Sequence, residues 1–190
     1  VVLLRRGGKH KDRALEVLLL KRTEEAKFMP GVWVFPGGAV DPADGEAEAG
    51  FRACAVRELA EEAAIALLDD EELILFSRWI TPEVISTRFD AWFFLALAPA
   101  HTPPKPDGVE TVDAAWFEPR AALDSQAAGD LVLAFPTVKQ LESLARFSTA
   151  EEALAAYRGG SVEAILPKVV GDKEDHRVVL PGDPDYPDPA

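Results

Sequence analysis

One cysteine, Cys54, and one methionine, Met29, occur in 190 residues. A lone thiol excludes an internal disulfide and a cysteine-held zinc cluster, and it fits a reducing, cytoplasmic setting. Basic residues are in deficit: 20 Lys and Arg against 33 Asp and Glu leave a formal charge of −13. Such a surface repels the phosphates of duplex DNA or RNA, so no nucleic-acid duplex is expected as a partner. The surplus acids serve solubility, or some of them hold divalent cations; composition leaves both readings open. Long apolar runs are missing too. The longest, residues 91–98, ends at Pro99, far short of the roughly 20 residues a membrane-spanning helix requires. No basic segment followed by an apolar stretch opens the sequence, so no secretory signal is read there. The three histidines, His10, His101 and His176, are scattered without ligand spacing and are assigned nothing.

What is present has an ordinary globular balance, 48% hydrophobic and 28% charged residues, which excludes disorder for most of the chain. The length suits one domain spanning residues 1–190. Strands are expected at 1–4, 15–20, 77–80, 88–98 and 115–117, with a charged loop at 7–13. Pro30, Gly31, Pro36, Gly37 and Gly38 punctuate a short apolar piece at 32–35. A long helix is predicted from about 46 to 67, because Phe51, Ala55, Leu59 and Ala63 recur every four residues as one buried stripe. Cys54 falls near that stripe and reads as a small buried residue. Further on, Thr137 with Gln140 and Thr149 with Glu152 have capping-box spacing and open two helices within 137–160, the second stopped by Gly159-Gly160. A hairpin of 164–170 with 177–180 and an extended tail at 181–190, carrying four prolines, complete the chain. Elements alternate without a clean βαβ rhythm, so an α/β fold with a mixed sheet flanked by helices is expected.

Chemistry concentrates in Arg57-Glu58-Leu59-Ala60-Glu61-Glu62. On a helix Glu58 lies one turn from both Glu61 and Glu62, so three carboxylates share a face and repel one another. Arg57, four residues before Glu61, relieves part of this, and a hard cation with several oxygen ligands would relieve more. A plain solvated acidic face is the competing reading. Upstream, the glycines of Phe35-Pro36-Gly37-Gly38 allow the backbone to approach a phosphate or a cation closely. Trp33 and Trp92 read as packing rather than base-stacking residues, and Asp90 as the partner of nearby Arg88.

Phe35-Pro36-Gly37-Gly38 followed by Arg57-Glu58-Leu59-Ala60-Glu61-Glu62-Ala63-Ala64-Ile65 resembles the Nudix hydrolase signature, G-x5-E-x7-R-E-U-x-E-E-x-G-U with U aliphatic, over residues 35–65. Arg57 stands 19 residues after Gly38, five more than that pattern. The position of its first Glu falls on Asp44 or Ala49, depending on the end counted from, and carries no role here. The closing Gly is Ala64, a better helix former, so the helix is expected to run on through Ala66 and Leu67.

The resemblance implies a Nudix-type α/β/α sandwich and hydrolysis of a diphosphate bond in a nucleoside diphosphate linked to another moiety, with Mg²⁺ or Mn²⁺ as cofactor. It implies Glu61 and Glu62 as main ligands, Glu58 as a ligand or water-orienting carboxylate, and the Gly37 carbonyl as a loop ligand. Arg57 steers a carboxylate, and Glu58 or Glu61 accepts the proton. Glu110, ahead of Trp116, is the candidate for one more acidic ligand. Residues 18–38, with Arg22, Lys27, Gly31, Phe35 and Gly38, resemble the extra signature of coenzyme A diphosphatases. That branch implies CoA or acyl-CoA as substrate, with Arg22 and Lys27 meeting phosphate groups. ADP-ribose, another nucleotide sugar, a dinucleotide polyphosphate, an oxidised nucleotide, and a catalytically silent nucleotide-binding module are the alternatives. The C-terminal segment is expected to form a lid or a homodimer contact.

Overall fold

The computed structural model describes residues 1–6, 14–67, 73–100, 102–172 and 175–187. The expected loop at 7–13 and two of the histidines, His10 and His101, lie outside them. In chain order the elements are β1 (Val2–Arg6), β2 (Leu15–Arg22), β3 (Trp33–Val34), a 3₁₀ turn (Pro42–Asp44), α1 (Ala47–Ala63), β4 (Ile74–Ile80), β5 (Asp90–Leu97) and β6 (Thr111–Phe117). Then come α2 (Pro119–Ala128), α3 (Phe135–Leu144), α4 (Ala150–Tyr157), β7 (Ala164–Ile165), β8 (Lys168–Gly171) and β9 (His176–Val179).

Seven strands form one mixed sheet in the order β3-β2-β1-β5-β4-β7, with β6 pairing along β2 as well. The β1–β5 and β4–β7 pairs are parallel and the others antiparallel. Alternate residues of a strand face opposite sides, and here both sides are covered. Val2, Leu4, Val17, Leu19 and Leu95 pack with Leu141, Leu144, Ala153 and Leu154 of the later helices. Leu3, Leu18, Leu20, Phe94 and Ala96 pack with Ala55, Leu59 and Ala63 of α1. Burial on both faces explains the unbroken apolar runs at residues 2–4 of β1 and 17–20 of β2. The result is a three-layer α/β/α sandwich, as expected.

The expected stripe is the buried side of α1, but the helix ends at Ala63, not at 67. Ala64 adopts a left-handed conformation (φ 52°), and its N–H reaches the carbonyls of Ala60 and Leu59. That conformation costs a non-glycine residue about 1–2 kcal/mol. Turning the chain there places Ile65 and Leu67 in the core beside Leu59, and burying two such side chains is worth more than that strain.

Three other expectations change. Thr137 does not cap a helix; α3 begins at Phe135 with Pro136 in its first turn, and Thr137 and Gln140 are buried inside it. Pro fits that first turn because its missing N–H would have no helical partner. The Thr149–Glu152 capping box is present and opens α4. The hairpin is β8 with β9, while 164–165 leaves it to join β4 in the main sheet. Pro167, without an N–H, separates the two pairings. The tail is not loose as far as residue 187: the Tyr186 hydroxyl donates to the Leu166 carbonyl at 2.8 Å, and Lys168 lies over its ring. Helix α2 was not expected, although Pro119 opens it and Gly129 closes it in the left-handed conformation. Among the described residues no helix is long and apolar enough to cross a membrane.

Candidate active site

Glu62 is the singular residue of the site. It is the next-to-last residue of α1, beside the buried stripe, and is only 5% exposed. One carboxylate oxygen accepts the Gly37 N–H at 2.8 Å. Its own backbone carbonyl accepts the buried Thr111 hydroxyl at 3.1 Å, so the end of α1 is tied to the start of β6. Burial raises the Glu62 carboxyl to about 7; the Gly37 hydrogen bond opposes that rise, and the nearby negative charges of Glu58 and Glu110 add to it.

Glu58 is nearly buried, its side chain 14% exposed, and it packs against the Phe35-Pro36-Gly37-Gly38 loop. A Cβ on Gly38 would lie 2.4 Å from a Glu58 carboxylate oxygen, so only glycine leaves that side chain its place. Glu61 faces outward, with its side chain 60% exposed. Glu110 is exposed on the turn 107–111, where the Asp107 carboxylate accepts the N–H groups of Val109, Glu110 and Thr111 at 2.8–3.1 Å. It lines an open cleft of about 440 Å³ with Gly38, Ala39, Val40, Asp41, Pro42, Arg57 and Glu58.

Arg57 organises these acids. Its guanidinium donates to Glu58 at 2.8 Å, to Glu61 at 2.9 Å and to the Ala39 carbonyl at 3.2 Å. It also makes a two-point pair with Asp44, both bonds at 2.9 Å. Asp44, to which the sequence reading gave no role, is thereby held down to about 2 by the Arg57 guanidinium, helped by the Asp41 N–H. A reciprocal capping box between Asp41 and Asp44 fixes the 3₁₀ turn that presents it. The signal was legible as Asp41-Pro42-Ala43-Asp44-Gly45: a capping acid, a proline in the first position and an acid three residues on. Thus the long segment between Gly38 and Arg57 contains a capped turn aimed at Arg57.

The remaining candidates divide. Phe35 is enclosed in the core, its ring edge-on to Phe93 at 6.3 Å, so it packs the sheet and does not face the cleft as the substrate-binding expectation required. Arg22 donates from Nε to the Phe28 carbonyl at 3.0 Å, and Lys27 is exposed on the same loop. Thr23 N–H donates to the Glu110 carbonyl at 3.0 Å, which joins this loop to the acidic turn. Trp33 and Trp92 pack edge-on or tilted against Phe117 and Phe51. Asp90 pairs with Arg78 across the β4–β5 ladder at 2.6 and 2.8 Å, not with Arg88, because the ladder sets Ile80 opposite Asp90 and brings Arg78 alongside. Cys54 is buried as expected, and burial raises its thiol to about 11.

The donor set is entirely oxygen and mostly carboxylate, which matches a hard divalent cation in kind. A desolvated Glu62 with two acidic neighbours is stabilised by positive charge. Among the described residues no three acidic, histidine or cysteine side chains converge closely enough to enclose an ion. Arg57 bridges Glu58 and Glu61, so ligation through either competes with the guanidinium.

The NUDIX domain model matches residues 1–135. The chain belongs to the Nudix family. A putative nudix hydrolase 7 of Caenorhabditis elegans is 30% identical over 164 residues, and the alignment covers 68% of this Nudix chain and 56% of that protein. The chain therefore spans little more than half the length of that relative. The human acyl-coenzyme A diphosphatase NUDT19 is 24% identical, with 90% of this chain and 72% of that protein covered. Among solved structures, a NUDIX hydrolase from Alicyclobacillus acidocaldarius superposes with a TM-score of 0.72 at 25% identity, covering 84% of this chain and 95% of that one. The Nudix sandwich thus accounts for the sheet order and for α1 lying beneath the glycine loop.

Proposed function

We propose that this Nudix chain is a pyrophosphohydrolase that cleaves the diphosphate bond of a nucleoside diphosphate linked to another moiety, with CoA or an acyl-CoA as the favoured substrate. The observation that carries the reading is the buried Glu62 carboxylate, bonded to Gly37 of the glycine loop and flanked by Glu58 and Glu110 at one cleft. The CoA preference draws on Arg22 and Lys27, which lie on the segment that the Thr23–Glu110 bond joins to the acidic turn, and on the likeness to an acyl-coenzyme A diphosphatase. A cytoplasmic setting belongs to the same reading.

Glu62, Glu58, Glu61 and Glu110, with the Gly37 carbonyl, are the groups that would hold Mg²⁺ or Mn²⁺, and to do so their side chains must turn toward one another from the positions described above. Bound there, such a cation would supply positive charge to a diphosphate and would acidify water. The rest falls to the chain. Arg57, fixed by Asp44, orients the carboxylates of Glu58 and Glu61. One of these two, at a carboxylate oxygen, accepts the proton of the attacking water. Arg22 and Lys27 give the anionic substrate the positive charge that the rest of this acidic chain lacks. Substrate selection is tested by incubating CoA, an acyl-CoA, ADP-ribose and a dinucleotide polyphosphate with Mg²⁺ or Mn²⁺ and following adenosine 3′,5′-bisphosphate or AMP. Release of the bisphosphate from the CoA compounds is expected. Turnover of ADP-ribose alone removes the CoA preference, and turnover of none removes the enzyme in favour of a binding module.

A further inference from the structure

Most of the large apolar side chains of this protein are buried, yet four stand well exposed on two neighbouring loops: Phe28 (49%), Phe89 (48%), Val84 (71%) and Ile85 (44%). Phe28 belongs to the loop between β2 and β3, the others to the loop between β4 and β5. The two loops meet ring to ring, with Phe28 and Phe89 tilted by 50° at a centroid separation of 5.6 Å. Both loops are built to hold this position. Arg22 donates to the Phe28 carbonyl at 3.0 Å. Backbone and hydroxyl bonds between Thr81 and Phe89, each 2.9 Å, close the second loop, and a turn from Pro82 to Ile85 shapes its tip. The first loop is also fastened to the acidic cleft through the Thr23–Glu110 bond. Neighbouring exposed apolar side chains of this kind mark a binding surface.

Its chemistry narrows the occupant. Two aliphatic side chains and two ring faces offer an apolar surface, which suits a hydrocarbon better than the polar edge of a base. Cations lie beside it: residues 21–31 carry Lys21, Arg22 and Lys27 against Glu24 and Glu25, in a chain with 13 surplus acids. Lys21 is 3.4 Å from Glu24, while Lys27 precedes Phe28 in the chain and Arg22 holds the Phe28 carbonyl, so two cations adjoin the apolar pair and can meet an anionic group. In an acyl-CoA the pantetheine arm separates the diphosphate from the thioester, so the acyl chain lies away from the scissile bond, and none of these four residues lines the cleft beside Glu58.

We infer that the Phe28–Phe89 pair, with Val84 and Ile85, receives the acyl chain of an acyl-CoA and sets a preference for acylated over free CoA. This rests on the CoA reading of the function. The test is the ratio of kcat/KM for butanoyl-, hexanoyl- and octanoyl-CoA to that for free CoA, in the wild type, in Phe28→Ala/Phe89→Ala and in the conservative Phe89→Leu. Circular dichroism and thermal melts check that the variants fold. The wild-type ratio should rise about twofold to fourfold per added methylene until the patch is filled. The double alanine variant should lower the octanoyl ratio about tenfold, through KM, and Phe89→Leu should retain most of it. A ratio independent of chain length in an enzyme that turns over CoA overturns this inference and leaves the proposed function standing. So does a double variant that keeps the chain-length dependence, or one that weakens CoA and acyl-CoA equally, which assigns the patch to the nucleotide. Failure to hydrolyse any CoA compound overturns the CoA reading of the proposed function and this inference with it.

Discussion

Replacing Glu62 with Gln removes a charge from a place where the fold disfavours it, and the effect should depend on pH. The carboxyl is held at about 7 against an ordinary 4.5. Below about 4.5 it is protonated in both the folded and unfolded chain and opposes nothing. Between 4.5 and 7 the unfolded chain releases the proton while the folded chain keeps it, so stability falls as pH rises. Above 7 the loss is complete, and at about 1.4 kcal/mol per pH unit of separation it amounts to about 3 kcal/mol. Asp44, held at about 2, and Cys54, raised to about 11, titrate outside this window. Urea unfolding with chelator present, at pH 5 and pH 8, reads the effect directly. The wild type should lose stability relative to Glu62→Gln on going to pH 8, by about 1–2 M in midpoint. Adding Mg²⁺ or Mn²⁺ at pH 8 should restore the wild type and leave the variant unmoved, while diphosphate turnover by the variant falls by orders of magnitude. Parallel pH dependence in the two proteins would refute the reasoning, because it would mean that the Glu62 charge is already satisfied.

Ala64→Gly should stabilise the protein by about 0.5–1 kcal/mol, since relief of left-handed strain exceeds the extra freedom glycine gives the unfolded chain. In a chain of this size a thermal melt should shift upward by about 1–4 °C, and no shift or a lower midpoint would count against it. Asp44→Asn should leave the melt near normal but lower kcat about tenfold or more with little change in KM, because Arg57 loses its two-point anchor; an unchanged kcat would show that Arg57 is held well enough without it. Gly38→Ala should displace Glu58, whose carboxylate would lie 2.4 Å from the new methyl, and cut turnover without unfolding the domain. Full activity in that variant would show that Glu58 moves at no cost.

The sandwich was legible where both faces of a strand are buried, because runs such as Leu18-Leu19-Leu20 leave little else for the chain to do. The α1 stripe was legible for the same reason. Its end was not, because local propensity favoured helix at Ala64 while the burial of Ile65 and Leu67, a tertiary effect, favoured a turn. The Thr137 spacing misled because a capping pattern inside a helix looks the same in sequence as one at its start, and only Pro136 argued for the earlier boundary. At the site, the acids of α1 were apparent from spacing. Their division into an inward pair, Glu58 and Glu62, and an outward Glu61 depended on where the sheet and the glycine loop lie. Asp44 went unassigned because its partner is 13 residues away and is reached only through the folded turn that presents it. The Arg78–Asp90 pair was missed because strand register, which sequence adjacency does not disclose, selects cross-strand partners.

The ion pair joining the capped turn to the acidic helix has a consequence for how distant kin of this chain are found. What must stay constant is the location in space of one guanidinium, and any loop that delivers a carboxylate to it will serve, whatever its length. Searches that demand a fixed count of residues between the two halves of a motif will pass over such proteins, whereas a search for an acid able to reach that arginine will recover them.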